Sequence, residues 1–354
     1  MAYTDIDKPS DYFDTKLYTG DNTNNRQISL DFSPDFTWIK ARNAGASHIL
    51  FDRVRTNANY LLTNATNAEV DGSSVLGWTN TGCTTNSFTV DLGSNGSING
   101  TGTTFVGWNW LAGGTAVSNT DGSITSSVSA NTTSGFSIVS WTGTGANGTI
   151  GHGLASAPQV VIVKDRSAGF GWLFGHNSLG SWTRNLKLNE TIAFETFTST
   201  FNSTAPTSSV FSIGSSGANN GSGNPLIAYC FAEKKGFSKF GSYTGNNSTN
   251  GPMIYTGFKP AWLLIKATNA AQWWTLLDSK RDTYNQASLG ISPNSSDTES
   301  TFNTNRGPHY IDFLSNGFKI RTDNSGVNGT NSFIYAAFAE NPFTTSTGIP
   351  ATAR

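Results

Sequence analysis

Asp35-Phe-Thr-Trp-Ile-Lys40, Gln159-Val-Val-Ile-Val-Lys164 and Ala261-Trp-Leu-Leu-Ile-Lys266 are three versions of one short run. Each follows a proline (Pro34, Pro158, Pro260) and ends in a lysine six residues after it. Eighteen residues after the same prolines stand Asp52, His176 and Asp278, with no gap in any copy. The four residues before them read His48-Ile-Leu-Phe51, Trp172-Leu-Phe-Gly175 and Trp274-Thr-Leu-Leu277.

Working outward, an aromatic-Thr-Gly precedes each proline by 16 or 17 residues, at Tyr18-Thr-Gly20, Trp141-Thr-Gly143 and Tyr243-Thr-Gly245. Downstream come Phe88-Thr-Val90, Phe211-Ser-Ile213 and Phe318-Lys-Ile320, then an Asn-Gly turn at Asn99, Asn220 or Asn328. Each copy closes on an apolar run, Phe105–Trp110, Leu226–Phe231 or Phe333–Phe338. Ordered blocks at matched spacing are the signature of internal repetition. They divide the chain into units over 13–114, 135–235 and 236–343. Residues 115–134, rich in Ser, Thr, Asn and Gly, read as a linker. Residues 1–12 and 344–354 read as extended arms. With no linker between them, the second and third units are expected to share an interface.

The lysine-ended runs are apolar on both alternations, which marks strands buried on both faces. Short loops join them to the next block, as in a hairpin. Turn residues recur throughout and helical periodicity is scarce; Asn67–Glu69 and Ser295–Glu299 allow a short turn at most. The expected fold is all-β: tandem antiparallel sandwiches, jelly-roll or lectin-like.

Charged residues make up only 13% of the 354, and the formal net charge is −1. That balance argues against binding nucleic acid or an anionic membrane. No run of eighteen apolar residues occurs, so no membrane-spanning helix is expected. The opening Met1-Ala-Tyr-Thr-Asp-Ile-Asp-Lys8 lacks the apolar stretch of a secretory signal. Cys83 and Cys230 make no disulfide framework; Cys230, inside an apolar run, reads as a small buried hydrophobe.

The pairs Lys40/Asp52, Lys164/His176 and Lys266/Asp278 are the one recurrent charged constellation. A repeated binding site is the functional reading. The plainer reading is a cross-strand ion pair, or a lysine whose stem is buried while its head reaches water. His48, His152, His176 and His309 have no partners at metal-ligating spacing, so no metal and no cofactor are expected. His152, flanked by glycines, reads as a turn residue. No nucleophile elbow, phosphate loop or zinc-protease motif occurs. Glu233 and Glu340 hold equivalent places where the first unit has Ala112, as a tolerated surface position would. Glu69, Glu190, Glu195 and Glu299 show no evident pairing, so no catalytic residue is assigned. Trp78, Trp182, Tyr284 and Tyr310 lie in polar segments outside the repeated blocks. They are the candidates for stacking on a sugar or anchoring a partner, against the alternative that each plugs one end of its own sandwich.

Asp11-Tyr-Phe-Asp-Thr-Lys-Leu-Tyr-Thr-Gly20, Phe32-Ser-Pro-Asp-Phe-Thr-Trp-Ile-Lys40, Phe51-Asp-Arg-Val-Arg55, Trp108-Asn-Trp-Leu-Ala-Gly-Gly114, Tyr229-Cys-Phe-Ala-Glu-Lys234 and Phe338-Ala-Glu-Asn-Pro-Phe343 resemble a family of virion proteins from marine tailed bacteriophages. Arg53 stands where that family is expected to favour serine. The resemblance implies a structural component of the particle, a tail-fibre or minor structural protein, and brings no catalytic residues with it. The first expectation built on it is a tail fibre or spike component that attaches the virion to its host, with cell-surface glycan as the candidate receptor. It implies other virion proteins as partners and a homo-oligomer, a trimer by analogy with phage fibres. A capsid decoration protein and a surface-glycan depolymerase are the alternatives.

Overall fold

Burial on both faces decides where each lysine-ended run sits. In the computed structural model, which describes residues 3–55, 59–72, 86–91 and 98–352, all three runs are strands. In the first unit four strands lie side by side in a fixed order. An opening strand (Phe13–Thr19) pairs with a closing strand (Thr104–Trp110), then come the lysine strand (Phe36–Ala41) and the hairpin strand (Ile49–Asp52). The same order recurs in Phe136–Thr142, Pro225–Phe231, Val160–Asp165 and Leu173–His176, and again in Ser238–Thr244, Ser332–Pro342, Phe258–Ala267 and Thr275–Asp278. Register agrees as well: Trp38 lies opposite Trp108, Ile162 opposite Tyr229, and Leu264 opposite Ala336. These ladders are antiparallel, and the molecule is an all-β assembly of sandwiches.

One face of each four-stranded array packs on a small second sheet. In the first unit Ile39, Ile49, Phe51 and Phe105 meet Ile28, Phe88 and Val90. Val161, Val163 and Leu226 meet Ile150, Phe211 and Ile213 in the second, and Leu263, Ile265 and Phe333 meet Ile254, Phe318 and Ile320 in the third.

The opposite faces converge on a single core. Phe36, Trp38, Val160, Ile162, Trp262 and Leu264, alternate residues of the three lysine strands, all pack there. At its centre the last aromatic of each closing strand meets the other two: Trp110–Phe338 at 5.4 Å, Phe231–Phe338 at 5.7 Å and Trp110–Phe231 at 6.3 Å between ring centroids. Edge-to-face pairs of this kind are each worth about 0.5–1.5 kcal/mol beyond the area they bury. The lysine strands are therefore buried on both sides because one side faces a private core and the other a common one.

Each unit also locks the loop after its aromatic-Thr-Gly with a fully buried asparagine. The side-chain oxygen of Asn99, Asn220 or Asn328 accepts from the backbone of Asp21, Thr144 or Asn246. Its amide donates back to Thr23, Ala146 or Ser248. The glycine of the triplet is needed because a Cβ at Gly20, Gly143 or Gly245 would lie 2.1, 2.1 or 1.9 Å from the carbonyl oxygen of Gly100, Gly221 or Gly329.

Several expectations are corrected. Residues 115–134 are not a free linker: Val117–Asn119 and Ser126–Asn131 extend the sheet of the second unit, beside Phe136–Thr142. The termini are not extended arms. Ile6 enters the common core, and Thr4 donates to the Lys235 carbonyl. Asp7 bonds Ser346, and Thr344 bridges Pro350. The interface is shared by all three units, not only the second and third. Beyond the short turn expected near Ser295–Glu299, a helix runs from Glu299 to Arg306, capped by the Thr298 hydroxyl.

Candidate functional site

Lys40, Lys164 and Lys266 do not pair with Asp52, His176 and Asp278. The hairpin register explains this: Phe36 lies opposite Asp52 and Ile39 opposite Ile49, so lysine and aspartate fall at opposite ends of the hairpin. Nor do the heads reach water, since all three lysines are buried. Each Nζ donates to the carbonyls one and four residues on and to one carbonyl of another unit. Lys40 takes Ala41, Ala44 and Ser296. Lys164 takes Asp165, Ala168 and Thr66; Lys266 takes Ala267, Ala270 and Thr191. The third bond runs from first unit to third, third to second and second to first, closing a ring. Burial pushes the Lys40 and Lys164 ammonium groups down to about 8 and Lys266 to about 7.

Asp52 and Asp278 serve the same ring. Asp52 accepts from Arg55 Nε at 2.6 Å and from the Tyr229 hydroxyl of the second unit at 2.6 Å. Asp278 accepts from Arg281 Nε at 2.5 Å and Trp108 Nε1 of the first unit at 3.0 Å. Arg55 also bonds Glu69, which holds Arg166 of the second unit; Arg281 also bonds Glu299, which holds Arg42 of the first. At the third junction the charges are absent: Leu179 stands in the arginine place, and Ala336 in that of Trp108 and Tyr229. There His176 Nε2 meets the Tyr335 carbonyl at 3.2 Å, and burial holds its imidazole down at about 4. Backbone bonds complete all three junctions, from Glu69, Phe194 and Glu299 to the carbonyls of Arg166, Thr268 and Arg42.

Glu69 and Glu299 thus have partners that were not evident in the sequence, and Glu190 and Glu195 both reach Lys187. His152 fits a turn role, accepting from Leu154 N and meeting the Thr207 carbonyl. Trp78 and Cys83 lie outside the described residues. Trp182 is 5% exposed and packs edge-on against Phe201 in the second unit's private core, so it fills its own sandwich. Tyr284 is 80% exposed and Tyr310 stands partly open, both in the third unit. Among the described residues no hydrogen bond or ring contact joins any two of Trp182, Tyr284 and Tyr310.

One surface groove with convergent polar groups lies in the third unit, lined by Gln272, Trp273, Asn305, Arg306, His309 and Asn324 with the Ser325–Gly326 turn. Trp273 was missed in the sequence. It adjoins Trp274 just before the Thr275–Asp278 strand; Trp274 is buried in the common core, whereas Trp273 is left partly exposed. The other units have Ser47 and Gly171 at the equivalent position, thirteen residues after the proline. Arg306, at the end of the Glu299–Arg306 helix, lies between two rings, its guanidinium carbon 4.0 Å from the Trp273 centroid and 5.0 Å from that of Phe302. It also pairs with Asp297. The Gln272 amide donates to Ser325 Oγ at 3.2 Å, and Asn324 accepts from Gly326 N at 2.9 Å. His309 is buried, with Nδ1 2.9 Å from Thr275 Oγ1. Burial pushes its imidazole down to about 4, so it is neutral at ordinary pH.

Among the described residues no cluster of three or more His, Cys, Asp or Glu could hold a metal, and no helix is long and apolar enough to cross a membrane. Fold and surface together define an all-β protein of sandwiches closed around one core. Residues 8–342 match the family described as a domain of unknown function (DUF7483), and the chain belongs to that family. Comparison with curated proteins and with solved structures returned no match.

Proposed function

We propose that this chain is a structural component of a bacteriophage particle, a part of the tail fibre or spike that contacts the host cell. The observation that carries the reading is the closure of three sandwiches about one aromatic core, held at each junction by buried lysine and backbone bonds. A body so closed, with a charge-poor surface, suits a role in adhesion outside the cell. The resemblance of its motifs to marine phage virion proteins points the same way. Glu69, Glu190, Glu195 and Glu299 are each engaged in an ion pair, which favours a structural role over glycan hydrolysis. The groove beside Trp273 favours host contact over capsid decoration, which needs no ligand site.

Partners in this reading are other virion proteins and further copies of the chain. Labelling purified particles with an antibody to this chain tests the assignment. Label at the tail and loss of adsorption in the presence of its Fab fragments are expected; label spread over the capsid lattice would overturn the tail reading. Sedimentation of the purified protein gives the copy number, with a trimer expected by analogy.

A further inference from the structure

We infer that the groove beside Trp273 binds a pyranose residue of a surface carbohydrate, an inference that rests on the host-contact reading above. Arg306 sits over one face of the indole, and Trp273 is 37% exposed where it lines the groove. Held between two rings, Arg306 also fixes the indole's orientation before any ligand arrives, which lowers the ordering cost of binding. The walls are set in the same way. Gln272 is tied to Ser325, and the Asn324 amide is tied to the Arg306 carbonyl and to Gly326 N.

The polar inventory selects the ligand class. Amides of Gln272, Asn305 and Asn324 both donate and accept, as the hydroxyls of a sugar do. Among the described residues the Nε and Nη1 of Arg306 have no acceptor at ordinary hydrogen-bond geometry, while the His309 ring is engaged by the Asn324 side chain. His309 Nε2 faces the Ser325–Gly326 wall, where a Cβ on Gly326 would come within 2.8 Å of it. A phosphate would need a free cation, but the charge of Arg306 is answered by Asp297. A flat base would gain from two open aromatic faces, and only one is offered. A pyranose has an apolar C–H face for the indole and a rim of hydroxyls for the amides. The groove encloses about 300 Å³, at the lower bound of the roughly 300–1,000 Å³ usual for small-molecule sites. That is room for one sugar ring and the start of its neighbour.

The test uses the full chain on an array of pyranose-containing oligosaccharides, followed by calorimetric titration with the best binder. Trp273→Ala is compared with Phe170→Ala, which removes the partly exposed aromatic of the second unit at the place equivalent to Gln272. Binding by the wild type, weakened about tenfold or more by Trp273→Ala and unchanged by Phe170→Ala, is expected. No binding to any oligosaccharide, or Trp273→Ala within twofold of wild type, would overturn the inference. Circular dichroism and thermal melting of both variants exclude unfolding as the cause. A chain found at the tail that binds no sugar would sink this inference alone, whereas sugar binding by a chain found on the capsid would sink the tail reading alone.

Discussion

Replacing Arg281 with leucine isolates the buried charge at the junction of the third and first units. Both side chains of the Arg281–Asp278 pair are fully buried. Without the guanidinium, Asp278 keeps Trp108 Nε1 and the backbone N–H groups of Lys280 and Arg281 as donors, but no countercharge. Breaking a buried ion pair from one side costs about 3–5 kcal/mol. For a 354-residue chain unfolding as one body, the unfolding entropy is roughly 0.7 kcal/mol per degree, so Tm should fall by about 4–7 °C. Urea denaturation measures the free energy and calorimetry the Tm. Arg281→Leu combined with Asp278→Asn keeps an acceptor for Trp108 and removes the stranded charge, so the double variant should recover a large part of the loss. The second unit already runs its junction without these charges, using His176 and Leu179. A loss under about 1 kcal/mol, or a double variant no more stable than the single, would refute the claim that this pair acts as a buried charge.

Three further outcomes follow from the same geometry. Gly245→Ala places a Cβ 1.9 Å from the Gly329 carbonyl oxygen, which is backbone and has little freedom to move. The expected loss is about 2 kcal/mol or more, read from the denaturant midpoint. Acid should destabilise the fold between about pH 6.5 and 4. His176 and His309 are held at about 4 when folded, so over that window the unfolded chain binds more protons and stability falls with pH. The effect is at most about 3 kcal/mol for each histidine, and His176→Asn should flatten the pH profile of stability. Cys230 is buried with its thiol pKa pushed up by desolvation, so a thiol reagent should leave it unmodified in the native protein and label it in urea, as read by peptide mass spectrometry.

Much of the architecture was legible because it is local. Each lysine run is a single strand, and its alternation, its proline and its distance to Asp52, His176 or Asp278 survive three times without a gap. The Asn-Gly turns were visible as turns, yet nothing in their composition indicated that Asn99, Asn220 and Asn328 would be buried clamps. The lysine–aspartate pairs were misread because spacing in sequence was taken as proximity across a hairpin, and the register puts them at opposite ends. Residues 115–134 read as a linker because strands of Ser, Thr and Asn carry a weak apolar pattern, and it is the edge of the neighbouring sheet that makes them strands.

By itself, then, the sequence determined three β units and the two-sided burial of the lysine runs, since these follow from alternation and turn chemistry within about a hundred residues; the order of strands within each sheet came from the structure. Tertiary structure alone decided that the second buried face of each unit belongs to the other two. It also decided that Lys40, Lys164 and Lys266 close a ring through carbonyls of neighbouring units, and that Arg306 is carried onto Trp273. Those contacts join residues far apart in the chain, and carbonyl acceptors and ring faces leave no mark on residue identity. The one sign available beforehand was Trp273 itself, a second tryptophan where the other two units have Ser47 and Gly171.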